Sequence, residues 1–209
     1  MTKKQYVEEL IRLLKEEYPV AECSLITKNP LQLLISTMLS AQCTDARVNI
    51  VTRDLYEKYH TAEDFCNAPL EDIEECIKSL GLYKNKAKNL KACCETLVKD
   101  FKGKVPDTME GLLTLSGVGR KTANLVLGEA FKKPAVVVDT HCGRLSRRMG
   151  LTINTDPVKI EKDLKKIIPE SEQLDFCHRL VHHGRKYCTA RKPDCENCPL
   201  NNVCKKSTL

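Results

Sequence analysis

The strongest constraint on this chain is a group of four cysteines near the end of the sequence. They follow a C-x6-C-x2-C-x5-C spacing and are Cys188, Cys195, Cys198 and Cys204. The sequence between them is polar and turn-rich, and Pro193 and Pro199 bend it so that the sulfurs can converge. Four thiolates this close in sequence indicate one shared metal centre rather than four unrelated cysteines.

The spacing leaves two kinds of metal centre open. Structural zinc sites use two closely spaced cysteine pairs, whereas here only Cys195 and Cys198 form such a pair. A 4Fe-4S cluster also needs four thiolates but accepts more varied spacings. The pattern therefore favours an iron–sulfur cluster modestly over zinc, and the brown colour of a cluster would distinguish the two.

Composition favours a reducing compartment. The chain has 12 cysteines in 209 residues, no recognisable secretory signal and no apolar run long enough to cross a bilayer. We therefore expect a cytoplasmic protein with reduced thiols and no membrane partner. The net charge of +6 suits a polyanionic partner, although many soluble proteins carry as much.

The hydrophobic pattern predicts an all-α protein. Strand signals are confined to one short β-branched run at 136–138, and elsewhere apolar residues recur at helical intervals between Gly, Pro and capping residues. The predicted helices span 3–18, 30–40, 45–59, 69–80, 84–101, 107–115, 120–130, 140–149, 157–168 and 171–186.

A glycine-rich turn, LSGVGRKTA at 115–123, joins two of these helices. Gly117 and Gly119 flank Val118, so the backbone can adopt positive φ and bring its N–H groups close to a ligand. The helix that begins at Arg120 has a partial positive charge at its N-terminus, which suits a phosphate oxygen. A G-x-G turn alone is weak evidence. Helix, L-x-G-V-G, lysine and helix together indicate a helix–hairpin–helix, which grips nucleic-acid backbone without reading sequence.

Two charged residues near these motifs are candidate catalytic groups. Lys121 has the ordinary interpretation of a surface lysine, but positive charge around it favours the free amine, a nucleophile able to form a Schiff base at a sugar C1′. Asp139, in VDTH, has the ordinary interpretation of a helix N-cap, and local sequence favours that role. A capped carboxylate can also stabilise a cationic sugar, so both roles of Asp139 stay open.

Together these motifs resemble the endonuclease III family, within the helix–hairpin–helix base-excision DNA glycosylases. LSGVGRKTAN, VDTH and the cysteine spacing carry the resemblance, and MLSAQCTD, GLYKNKAKNL and HGRKYCTARKPDCENC extend it to nearly the whole chain. The resemblance implies one 4Fe-4S cluster on the four cysteines. It also implies two helical lobes with a DNA-binding cleft between them. These are a six-helix barrel at 22–132, with its hairpin at about 108–130, and a cluster lobe at 1–21 plus 133–209, with its cluster loop at 188–204.

The resemblance further implies roles for single residues. Lys121 is the nucleophile and Asp139 the catalytic carboxylate. Gln42 fills the space left by an extruded base, and Leu82 presses on the opposite strand. The remaining implied DNA contacts are Gly117, Val118, Gly119 and Arg120 in the hairpin and Arg191 and Lys192 in the cysteine loop, where the acidic Asp194 weakens the grip.

The implied function is a bifunctional DNA glycosylase and apurinic/apyrimidinic-site lyase. It would act as a monomer on duplex DNA holding oxidised pyrimidines or abasic sites. An adenine-mismatch glycosylase is a nearby alternative, but that relative has serine at the position of Lys121 and glutamate where this chain has Ser36. A non-catalytic iron–sulfur protein that binds DNA and senses redox state is another alternative, although such a protein needs neither Lys121 nor Asp139.

Overall fold

A computed structural model describes residues 1–205 of the chain, and that part is helical without β-strands. The α-helices are α1 (Lys3–Glu17), α2 (Pro30–Leu39), α3 (Asp45–Lys58), α4 (Ala62–Asn67), α5 (Leu70–Ile77), α6 (Tyr83–Phe101), α7 (Met109–Leu113), α8 (Arg120–Phe131), α9 (Thr140–Arg148), α10 (Pro157–Ile167) and α11 (Gln173–Lys186). A 3₁₀ turn, Glu170–Glu172, precedes α11. The all-α prediction is confirmed.

The helices form two compact units that divide the chain discontinuously. One consists of Met1–Glu22 together with Pro134–Leu209, described as far as Lys205, and is called the cysteine unit here. The other is Cys23–Lys133 and is called the hairpin unit. The family resemblance implied a helix barrel at 22–132, and the hairpin unit spans 23–133, so each boundary lies one residue later than expected.

The hairpin unit contains helices α2 to α8 and a hydrophobic core of its own. Helix α6 packs against α4 and α5, while α2 packs against α8, α3 and α6. Helix α2 is apolar nearly all round, and its residues from Leu33 to Leu39 are buried, as expected for a helix at the centre of a core. The buried core residues all lie between Leu25 and Leu127, so this core forms within one continuous segment.

The cysteine unit joins α1 to the three α-helices α9, α10 and α11. Helix α11 packs against both α1 and α9, and α10 packs against α9. One face of α1 is buried, and the Tyr6 hydroxyl at that face donates a hydrogen bond of 2.7 Å to the carbonyl of Met149. This bond spans most of the sequence and ties α1 to the end of α9.

The structure corrects several predicted helix boundaries. Helix α4 was not predicted, although Thr61 and Asp64 form a capping box at its start. The helix predicted over 69–80 ends at Ile77, and the one predicted over 107–115 is shortened to Met109–Leu113. Within residues 1–205, no helix combines the length and apolar character needed to cross a membrane.

Candidate functional site

The glycine turn between α7 and α8 is a tight hairpin that requires glycine at one position. Gly117 has φ of +74°, and a Cβ there would lie 3.0 Å from the Cβ of Asn89 and 3.2 Å from the Cε of Met38. Val118 is buried, and its N–H donates to the carbonyl of Leu115 at 3.1 Å. The hairpin is therefore fixed to the core by Val118, while Gly117 supplies the left-handed backbone that the turn needs.

The other glycine of the hairpin faces open space. Gly119 is the N-cap of α8 with φ of −96°, and a Cβ there would have no atom within 4 Å. No described side chain caps α8, and no acidic residue lies in its first turn. The first N–H groups of α8 are thus available for an anionic ligand, as they are at helix termini that bind phosphate.

Lys121 lies in the first turn of α8 and is exposed. Its ammonium makes no hydrogen bond or ion pair with the side chains of residues 1–205, so the amine is free to meet a ligand. Helix α8 is anchored after its first turn, where residues 123–128 are buried. Cys23 lies near Lys121, which the sequence did not predict. Burial raises the pKa of the Cys23 thiol to about 11, and the nearby charge of Lys121 partly opposes that rise.

Asp139 is the N-cap of α9 and belongs to the cysteine unit. Its Oδ1 accepts a hydrogen bond of 2.7 Å from the backbone N–H of Cys142, so the N-cap prediction is confirmed. The side chain is half-buried behind the buried residues 135–137. Burial lowers the pKa of the neighbouring His141, and the negative charge of Asp139 acts in the opposite direction.

The four cysteines of the C-terminal motif line one pocket of the cysteine unit. Apolar parts of Met149, Tyr187 and Leu200 complete its walls. Arg148 Nη1 donates to Cys188 Sγ at 3.4 Å, and His183 Nε2 lies 3.4 Å from Cys198 Sγ, where the ring tautomer decides which atom donates. Four cysteines around an apolar pocket, with side-chain nitrogens beside two of the sulfurs, fit an iron–sulfur cluster. Within residues 1–205, no three His, Cys, Asp or Glu side chains are grouped around a single-ion site.

Two arginines of α9 hold the loop that carries the first of these cysteines. Arg144 Nη2 donates to the carbonyls of Gly184 at 3.2 Å and Cys188 at 2.9 Å. Arg148 donates to the carbonyls of Thr189 at 2.7 Å and Ala190 at 2.8 Å. Because charged donors satisfy three loop carbonyls and one in the last turn of α11, this irregular segment is held on α9 without regular secondary structure.

Comparison with known proteins decides the family. Residues 35–170 match the HhH-GPD superfamily of base excision DNA repair proteins, and residues 188–204 match the iron–sulfur binding domain of endonuclease III. The chain belongs to the endonuclease III family. This family consists of bifunctional DNA glycosylases and apurinic/apyrimidinic-site lyases of base excision repair, and its cofactor is a 4Fe-4S cluster. The zinc alternative is set aside.

Relatives and solved structures agree with this placement. Endonuclease III of Synechocystis is 50% identical over 97% of this chain and 93% of its own, and that of Bacillus subtilis is 43% identical over 96% and 92%. A trapped covalent intermediate of endonuclease III with DNA superposes with a TM-score of 0.92 at 44% identity, covering 99% of this chain and 97% of that one. A thermostable thymine-DNA glycosylase gives 0.88 at 25% identity, covering 97% and 96%.

The two residues predicted to fill the vacated base stack and to press on the opposite strand share an unusual backbone. Gln42 has φ of 57° and Leu82 has φ of 60°, both in the left-handed region that non-glycine residues rarely occupy. Both are exposed, and Leu82 keeps 57% of its surface accessible despite its apolar side chain. Strained backbone and exposed apolar surface are frequent at binding sites. Neither signal is readable from the sequence alone.

The remaining predicted contacts lie on the loop between the first two cysteines. Arg191 and Lys192 are exposed there, as contact with a phosphate requires. Asp194 is engaged locally, since its carboxylate accepts hydrogen bonds of 3.1 and 3.0 Å from the Asn197 side-chain amide. These bonds orient the Asp194 carboxylate, and its negative charge stays two residues from Lys192 in the sequence.

Proposed function

We propose that this protein excises oxidised or ring-saturated pyrimidines from duplex DNA and cleaves the resulting abasic site by β-elimination. The observation that carries the proposal is the Lys121 amine, which is exposed and unpaired among residues 1–205, in the first turn of α8 directly after the hairpin. A DNA backbone bound at the N-terminus of α8 would lie close to that amine. The covalent DNA intermediate trapped in a related endonuclease III supports a nucleophile of this kind.

The DNA backbone binds mainly to main-chain groups and to basic side chains. The N–H groups from Gly117 through Arg120 receive phosphate oxygens at the open face of the hairpin, and Val118 keeps that face rigid. Arg191 and Lys192 contact phosphates from the cysteine loop. Because these contacts go to the backbone, they position the duplex without selecting a sequence.

Base removal requires extrusion of the damaged nucleotide from the duplex. Extrusion costs a few kcal/mol and is easiest for a damaged base, whose stacking and pairing are weakened. Gln42 enters the vacated stack, and Leu82 presses on the opposite strand. Their left-handed backbone projects both side chains from short turns, where they remain exposed.

The chemistry follows from a lysine amine and a carboxylate. The neutral amine of Lys121 attacks C1′, and the C1′–N bond breaks so that the damaged base leaves with the bonding electrons. Asp139 stabilises the positive charge that develops on the sugar ring. After attack the Lys121 nitrogen gives up a proton, its lone pair then expels O4′ from C1′, and O4′ takes up a proton, so a protonated imine joins Lys121 to C1′. A base then removes a C2′ proton, and the C3′–O bond breaks to release the 3′ phosphate.

The four C-terminal cysteines would hold the 4Fe-4S cluster, and the bound cluster would fix the conformation of the loop that carries them. Arg191 and Lys192 belong to that loop, so their placement depends on its shape. The protein acts as a monomer on chromosomal DNA in the bacterial cytoplasm. The bacterial sources of the similar endonucleases support that setting.

The first test is borohydride trapping on a duplex with one thymine glycol. Borohydride reduces the imine, so wild-type protein is expected to give a covalent protein–DNA adduct. Lys121→Ala and Lys121→Arg should give none, because neither variant has a primary amine at this position. Lys121→Arg keeps the positive charge and is expected to bind the duplex within about threefold of wild type, which is less than 1 kcal/mol.

The outcomes separate the alternatives. An adduct that persists in both variants would exclude Lys121 as the nucleophile. Release of free base without any adduct from the wild-type protein would indicate a monofunctional glycosylase. Binding without base release would indicate a non-catalytic DNA-binding protein.

A further inference from the structure

A hydrogen-bonded chain of two side chains leads from α1 to a cluster cysteine. The Tyr18 hydroxyl lies 3.2 Å from His183 Nδ1, and His183 Nε2 lies 3.4 Å from Cys198 Sγ. His183 is only 1% exposed, and Tyr18 and Tyr187 contact its ring at centroid distances of 5.9 and 5.4 Å. The imidazole is therefore held in place from several sides.

The positions of the hydrogen atoms follow from the chemistry of the sulfur. A cysteine that binds a cluster is a thiolate, which has no hydrogen to donate. His183 Nε2 must therefore carry the hydrogen and donate it to Cys198 Sγ. In the neutral ring this leaves Nδ1 as an acceptor, and the Tyr18 hydroxyl is its hydrogen-bond partner among residues 1–205. Tyr18 thus selects the tautomer that faces the sulfur.

The backbone of Tyr18 is fixed independently of this hydroxyl. Its N–H donates to the carbonyl of Leu14 at 2.9 Å, and its carbonyl accepts from Arg179 Nε at 3.2 Å. Its ring also stacks on His182 at a centroid distance of 5.9 Å. Removing the hydroxyl alone would leave the ring in place, so the hydrogen bond to His183 can be tested separately from packing.

We propose that Tyr18 and His183 are positioning residues that set the reduction potential of the bound cluster. A hydrogen bond donated to a ligand sulfur stabilises the electron-rich, reduced cluster more than the oxidised one, and therefore raises the potential. Without the Tyr18 hydroxyl, the ring can change to the tautomer that turns a lone pair toward the sulfur. That change lowers the potential and makes the cluster easier to oxidise.

The test is voltammetry of purified, cluster-loaded protein in the absence of DNA. Tyr18→Phe is expected to shift the midpoint potential to a lower value, and His183→Leu to shift it further. His183→Gln, whose amide N–H₂ can reach toward the sulfur, should restore part of the shift. The cluster content of each variant is measured from iron, sulfide and visible absorption, so that only fully loaded protein is compared.

Tyr187→Phe is the matched control. It removes the hydroxyl of the other tyrosine whose ring contacts His183. That hydroxyl donates to Glu17 at 3.2 Å and does not bond to His183. Its potential is expected to stay at the wild-type value. If Tyr18→Phe and Tyr187→Phe have the same midpoint potential, the proposal is overturned. This outcome can be read even if His183→Leu fails to fold. Borohydride trapping should be unchanged in Tyr18→Phe, so this result is independent of the proposed function.

Discussion

At the residue scale, Asp139 has two roles that depend on different properties of one side chain. Its Oδ1 accepts the N–H of Cys142, which requires only an acceptor oxygen. The proposed stabilisation of a cationic sugar requires negative charge. The cap was predictable from VDTH because capping depends on neighbours in sequence. The catalytic role came only from family resemblance, since local sequence cannot show what a carboxylate meets in space.

Asparagine and alanine at position 139 should separate these roles. Asp139→Asn keeps the capping oxygen, so its free energy of unfolding is expected within about 0.5 kcal/mol of wild type, whereas Asp139→Ala loses about 1 kcal/mol. Both variants lose the charge, and single-turnover base excision should fall roughly 100-fold or more in each. Urea unfolding and excision kinetics measure the two effects. Wild-type excision by Asp139→Asn would contradict the charge role.

At the element scale, the helices were largely predictable, and the turns were not. Apolar periodicity located α1 and α6 closely because each buries one face along its length. Helix α4 has only six residues, too few to show a period, and its capping box was the one available signal. The left-handed backbone at Gln42 and Leu82 has no signature in residue type, since glycine is the usual occupant of that region.

Alanine substitutions at Gly117 and Gly119 should have different effects on the stability of the hairpin. Gly117→Ala places a methyl group at positive φ and against Asn89, so it should lower the free energy of unfolding by about 2 kcal/mol. Gly119→Ala meets no atom within 4 Å, and its stability should stay within about 0.5 kcal/mol of wild type because reduced unfolded-state entropy offsets the poorer cap.

Gly119→Ala should weaken DNA binding although it leaves stability nearly unchanged. Its new methyl group would occupy the open space proposed for a phosphate, so we expect the Kd for duplex DNA to rise roughly tenfold, or about 1.4 kcal/mol. Thermal unfolding and fluorescence anisotropy measure the two quantities on the same samples. A Gly119→Ala protein that binds DNA like wild type would show that the phosphate lies elsewhere.

At the scale of the whole molecule, both units bury apolar side chains, but they differ in one loop. The hairpin unit has a continuous apolar core drawn from one segment of the chain. The cysteine unit also buries apolar faces of its helices, but its loop after α11 is irregular and residues 191–197 are all exposed. Since little apolar surface is buried there, metal–thiolate bonds must supply much of the order of that loop. The cysteine motif was readable from local sequence, but the place of α1 in the same unit came only from the family resemblance, because that contact is remote in sequence.

Loss of the cluster should therefore weaken hydrogen-exchange protection in one unit selectively. Cys195→Ser removes one ligand, and we expect amide hydrogen exchange to accelerate at least roughly tenfold, about 1.4 kcal/mol, in the loop and in the α9 and α11 helices that contact it. Helices α2 to α8 should keep their protection, because their core contains no residue of the cysteine unit. Glu196→Ser is the control, since this exposed neighbour is not a ligand and its variant should retain both colour and protection. Equal loss of protection in both units would show instead that the cluster stabilises the chain as one cooperative structure.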